Sequence, residues 1–105
     1  MRRASRHKDT NHDELVALAR VLGAFVIETH TVGGGCPDLF VWRHDTNWFP
    51  VEVKHRTGKL RPAQIRLHAC APVTVWRTTG DVLASFGVSG YGRLAVPAIR
   101  ARSRV

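Results

Sequence analysis

Acidic side chains are scarce in this chain: eight Asp and Glu stand against sixteen Lys and Arg in 105 residues, a formal charge of +8. That imbalance favours a polyanionic partner, nucleic acid first and an anionic membrane second. Long apolar runs are missing as well. No stretch approaches the roughly 18 continuous apolar residues that a membrane span needs, which sets the membrane aside. Cysteine is limited to Cys36 and Cys70, too few and too far apart for a zinc ribbon or a CxxC redox site. Met1 is followed by charged residues with no apolar run before Leu15, so no secretory leader is expected and a cytoplasmic protein with free thiols is the reading. The six histidines show no HExxH or other ligand spacing, and no Gly-x-Ser-x-Gly elbow marks a serine hydrolase. Internal repeats are absent too.

A chain of this length has room for one compact domain that owns its core without disulfides or a structural metal. Residues 1–11 read as a basic N-terminal arm (Arg2, Arg3, Arg6, His7, Lys8) with no apolar period to hold it down. Thr10 or Asn11 then caps a helix over about 12–23, ending at Gly23. Asp13 and Glu14 lie in its first turn, where the helix dipole favours acidic groups. Leu15, Leu18, Leu22 and Phe25 supply its apolar stripe. Glu14 sits on the edge of that stripe, from where it can lean over a sheet, whereas Asp13 is rotated away.

Residues 25–30, rich in β-branched and aromatic side chains, read as the first strand. Gly33-Gly34-Gly35 follows as a turn able to adopt backbone angles barred to other residues; it lacks the spacing of a phosphate-binding loop. Strands are expected at about 38–43 and 48–54, joined by the polar turn His44-Asp45-Thr46-Asn47, with Trp42 and Trp48 placed to stack across the pair. Pro62 opens a helix to about Ala71, with Ile65 and Ala69 on one face. A fourth strand covers 73–77, and a short helix capped by Thr79-Gly80-Asp81 runs through Phe86. Residues 87–105, ending in Arg100, Arg102 and Arg104, form a basic tail that pattern alone does not fold.

The chemistry concentrates between Cys36 and Lys54. Side chains alternate along a strand, so Glu52 and Lys54 point one way while Val51 and Val53 point the other. If the strand beginning at Pro37-Asp38 pairs with it as a hairpin, Asp38 comes close to Glu52. Two carboxylates and a lysine then converge, a set suited to a hard cation with a base or charge stabiliser beside it.

The order helix, three strands, helix, strand, with Pro37-Asp38 opening the second strand and Glu52-Val53-Lys54 ending the third, resembles the PD-(D/E)XK nuclease superfamily. Within it the chain looks most like the VRR-NUC group of small phage and bacterial nucleases. The matching pieces are Glu14, Gly35-Cys36-Pro37-Asp38-Leu39-Phe40, Val51-Glu52-Val53-Lys54 and Gly58-Lys59-Leu60-Arg61-Pro62-Ala63-Gln64, within residues 12–86. Two departures stand out: the loop before Pro37 is short, and the tail beyond Phe86 has no counterpart. The resemblance implies an α/β fold with a restriction-endonuclease-like core (αβββαβ), a mixed central sheet flanked by helices. It also implies a metal-dependent phosphodiesterase in the cytoplasm of a bacterium or phage-infected host, with no organic cofactor. Asp38 and Glu52, helped by the Val53 carbonyl, would hold Mg²⁺ or Mn²⁺. Lys54 would stabilise charge or deprotonate water, and both roles stay open. Glu14 would bind a second ion or position the first through water, and Gln64 would orient Lys54 or the phosphate. Arg56, Lys59, Arg61, Arg66 and His68 would clamp the sugar-phosphate backbone without reading sequence. Branched DNA such as a Holliday junction is then the favoured substrate over a short double-stranded site, and two symmetric cuts call for a homodimer. A non-catalytic nucleic-acid-binding module and a basic, DNA-contacting phage structural protein are the competing readings.

Overall fold

The computed structural model describes residues 8–88. The N-terminal seven residues of the expected arm, and the expected tail from residue 89 onward, lie outside the described residues. The elements follow in the order α1 (His12–Val21), β1 (Phe25–Glu28), β2 (Leu39–Trp42), β3 (Phe49–Val53), α2 (Pro62–Cys70), β4 (Thr74–Trp76) and α3 (Thr79–Ser85). The fold is mixed α/β, with three helices around a four-stranded mixed sheet among the described residues. Strand order in the sheet matches order in the chain. β1, β2 and β3 form an antiparallel meander, and β4 joins β3 in parallel after the α2 crossover, as a parallel pair requires. No described helix is long and apolar enough to cross a membrane.

The core lies on one face of the sheet. Leu39 and Val41 from β2, Val51 and Val53 from β3 and Trp76 from β4 meet Leu15, Val16 and Ala19 of α1 and Val82 of α3, all essentially inaccessible to water. Trp76, Phe86 and Phe49 pack with ring centroids 6.1–6.4 Å apart, and the Trp76 indole N–H donates to Ser85 Oγ at 2.9 Å, so the ring is buried without an unpaired donor. The opposite face is thinly covered at β1. Phe25 and Ile27 are more than half exposed, and Phe25 stacks on Trp42, which in turn meets Trp48 at 6.4 Å, the cross-turn contact expected from their spacing.

Several local expectations are corrected. Phe25 belongs to β1 and not to the buried stripe of α1; the inward positions of α1 are His12, Leu15, Val16 and Ala19, with Leu18 and Leu22 packed at its edge. Asn11 is the N-cap residue, but its amide leaves the helix and donates to the Lys54 and Arg77 carbonyls at 3.1 and 2.9 Å. Those two bonds tie the end of the supposed arm to the residues that follow β3 and β4. Helix α2 buries neither Ile65 nor Ala69; Gln64 is its one buried residue. The cap of α3 is Thr78, one residue earlier than expected, with Asp81 returning to the Thr78 N–H.

Candidate active site

The register of β2 on β3 pairs Leu39 with Val51, and carrying it one residue further sets Asp38 opposite Glu52. Asp38 is fixed from both sides. Its carbonyl accepts from the Thr29 N–H at 2.7 Å, the Thr29 hydroxyl donates to the Pro37 carbonyl at 2.6 Å, and its Oδ2 accepts from the Val53 N–H at 3.0 Å. With its backbone tied to Thr29 and its carboxylate held by one backbone N–H, Asp38 loses little entropy when it engages a ligand.

Glu52 is only 1% exposed. Its Oε2 accepts from Gln64 Nε2 at 2.6 Å and lies 3.8 Å from Lys54 Nζ, too long for a hydrogen bond but close enough for attraction. Its Oε1 is buried with no partner. Gln64 is itself oriented, because its Oε1 accepts from the Arg61 N–H at 2.8 Å as α2 begins, which turns the amide nitrogen toward Glu52. Burial pushes the Glu52 carboxyl up to about 8, aided by the charge of the nearby Asp38 carboxylate and more weakly by Asp9; Lys54 pulls the other way and loses. At neutral pH, without a cation, Glu52 therefore keeps its proton.

That crowding is the test of fit for a divalent ion. An orphaned buried carboxylate oxygen on Glu52, with the Asp38 carboxyl set opposite it across the β2–β3 pair, forms an oxygen-rich donor set that a hard cation satisfies in place of a proton.

The group opens into a cleft of about 210 Å³ whose walls include Asp38, Glu52, Val53, Lys54, Arg61 and Gln64. The structure thus brings together five of the residues singled out in the sequence, together with the Val53 backbone. Gly33, Gly34 and Gly35 line one side with φ of +81°, +67° and +85°, angles that side chains rarely adopt. At Gly35 a Cβ would stand 3.0 Å from the Ala63 Cβ, so the loop seats directly against the first turn of α2.

Other expected members lie elsewhere. Glu14 is exposed on α1 and does not reach the cleft, because the turn of the helix that faces the sheet carries His12 and Leu15 instead. The acidic group on that wall is Asp9, whose Oδ2 accepts from the His55 N–H at 3.2 Å. Arg56, Lys59 and Arg66 are exposed outside the cleft, and His68 is half-buried away from it. Asp9 and His30, which also line it, carried no sequence signal: Asp9 sits in a polar run before α1, and His30 follows a strand with no partner at ligand spacing. Comparison with family models, curated proteins and solved structures finds no match to the chain.

Proposed function

We propose that the protein is a Mg²⁺- or Mn²⁺-dependent endonuclease of the PD-(D/E)XK type, VRR-NUC-like, with the restriction-endonuclease core arrangement and branched DNA as substrate. The observation that carries this reading is the buried Glu52 carboxyl, set opposite Asp38 across the β2–β3 pair with Lys54 beside it, in an open cleft.

On this reading Asp38, Glu52 and the Val53 carbonyl hold the ion, which when bound acidifies a water and polarises a phosphate oxygen. Asp38 presents its carboxylate at a place set by Thr29 and Val53, so the donor set needs little rearrangement. Gln64 holds the Glu52 carboxyl in one orientation through its 2.6 Å bond, a positioning role toward Glu52 in place of one toward Lys54. Lys54, 6% exposed, brings a positive charge to the phosphate as negative charge grows on it. Arg61 at the cleft mouth, with Arg56, Lys59 and Arg66 on the adjoining surface, meets the sugar-phosphate backbone. Glu14 has no part in it, and Asp9 takes the place on the wall that Glu14 was expected to fill. Two symmetric cuts in a junction pair two chains, a homodimer that sedimentation at working concentration tests.

The deciding assay incubates the protein with linear, flapped and four-way DNA in Mg²⁺, Mn²⁺ or EDTA, beside Asp38→Ala and Lys54→Ala. Cation-dependent nicks on the branched DNA, lost in both variants, are expected. Shifted but uncut DNA overturns the nuclease reading in favour of a binding module.

A further inference from the structure

A second cluster of ligating side chains lies outside the Asp38–Glu52 pair. His12, the first residue of α1, is 1% exposed; Glu28 ends β1; His30 follows two residues later and lines the cleft. One ligand atom from each of the three lies within 4.8 Å of the others. His12 Nε2 and Glu28 Oε1 are 3.0 Å apart, and the His12 and His30 rings meet edge to face with centroids 4.9 Å apart. Glu28 is also approached by Arg20 at 3.5 Å.

A hydrogen bond between His12 and Glu28 accounts for two of these residues but not the third. His30 Nδ1 is buried with no hydrogen-bond partner, a costly condition for an imidazole nitrogen that could reach water a short distance away in the cleft. We propose that His12, Glu28 and His30 form a binding site for a borderline transition-metal ion of the Zn²⁺ type, with its remaining position open toward the cleft.

The donor types select the ion. Two imidazoles and one carboxylate suit Zn²⁺ or Co²⁺, whereas Mg²⁺ prefers oxygen alone. Bond lengths of about 2.0–2.2 Å in a tetrahedral shell set ligand atoms about 3.3 Å apart. The His12–Glu28 separation already matches, and the remainder closes by a turn of the His30 ring, which has no bond at Nδ1 to give up. Three protein ligands leave one position of the shell, and His30 on the cleft wall puts that position within reach of water or a substrate oxygen, the arrangement of an open rather than a sealed zinc site. The site does not depend on the nuclease reading, since none of its ligands belongs to the Asp38–Glu52–Lys54 group.

The test titrates Co²⁺ and Zn²⁺ into the full chain near neutral pH, following Co²⁺ by its visible d–d absorption and Zn²⁺ by calorimetry. Because the Asp38–Glu52 group takes a cation of its own on the nuclease reading, the titrations are made in the Asp38→Asn background, alone and with Glu28→Gln or His30→Gln added. One equivalent should bind to Asp38→Asn, with absorption typical of nitrogen ligands in a tetrahedral field. Adding Glu28→Gln or His30→Gln should weaken that binding by at least about tenfold. Circular dichroism without metal reports whether each variant folds. Should His30→Gln fail to fold, Glu28→Gln decides, because that carboxylate is partly solvent-facing. Absence of stoichiometric binding overturns the proposal. So does binding that survives Glu28→Gln undiminished.

Discussion

Replacing Glu52 by Gln should make the metal-free protein more stable at alkaline pH and flatten its dependence on pH. In the folded chain the Glu52 carboxyl keeps its proton up to about 8, against an ordinary value of 4.5. Below pH 4.5 it is protonated in both folded and unfolded chains and contributes no pH dependence. Between 4.5 and about 8 the unfolded chain releases the proton and the folded chain retains it, so stability falls as pH rises. Each tenfold change in proton activity across that window is worth about 1.4 kcal/mol, which accumulates to about 5 kcal/mol. A domain of this size has about 5–15 kcal/mol in all, so the loss is a large share of it. A neutral Gln of the same shape still offers an oxygen to Gln64 and has nothing to titrate. Urea denaturation in EDTA at intervals from pH 5 to 9 measures the effect, and the informative quantity is the difference between native protein and variant. Glu28 and Asp13 are shifted downward and act in the opposite sense at low pH, but they cancel in that difference. Adding Mg²⁺ should shrink the slope of the native protein alone. Parallel stability curves for the two proteins would refute the crowded-carboxylate account on which the site rests.

Gly35→Ala should lower stability by about 2 kcal/mol and reduce cation affinity, since it forces a side chain into a left-handed backbone at +85° and pushes Ala63, and with it Gln64, off the Glu52 carboxyl. Thermal denaturation and a Mn²⁺ titration check it; an unchanged melting temperature would count against the seating of that loop on α2. Arg77→Ala removes a guanidinium whose Nη1 donates to the His55, Arg56 and Gly58 carbonyls at 2.9, 3.4 and 2.6 Å. Because the group is partly exposed, a loss of about 1–2 kcal/mol is expected, with faster hydrogen exchange at the Gly58 amide, which bonds to the His55 carbonyl.

The elements and the pairing of Asp38 with Glu52 were legible in the sequence because they depend on local rules: β-branched runs, a polar turn between two strands, and alternation that fixes which side each residue takes. α2 was legible in extent but not in orientation. It has no apolar stripe beyond the Ile65–Ala69 face, which stays exposed, and the contact that seats it is polar, Gln64 on Glu52. Glu14 was misplaced for a similar reason. One helix position separates residues that point at a sheet from those that point at water, and the buried role at the start of α1 went to His12, a residue type that periodicity does not score as inward. The His12–Glu28–His30 grouping was out of reach altogether, since it is assembled by the helix-to-strand turn rather than by spacing along either element.

β1, one of the two edge strands of the sheet, bears on how the molecule resists stray strand pairing. Thr29 bonds across to Asp38, so by the alternation of antiparallel pairs Phe25, Ile27 and Thr29 direct their backbone groups to β2, and Val26 and Glu28 direct theirs outward. The Val26 carbonyl on that free margin is already taken by the Arg20 guanidinium at 3.0 Å. A stray strand seeking to extend the sheet into a fibril must first dislodge that plug, a gatekeeping arrangement that keeps a Phe-Val-Ile segment from becoming a template for aggregation.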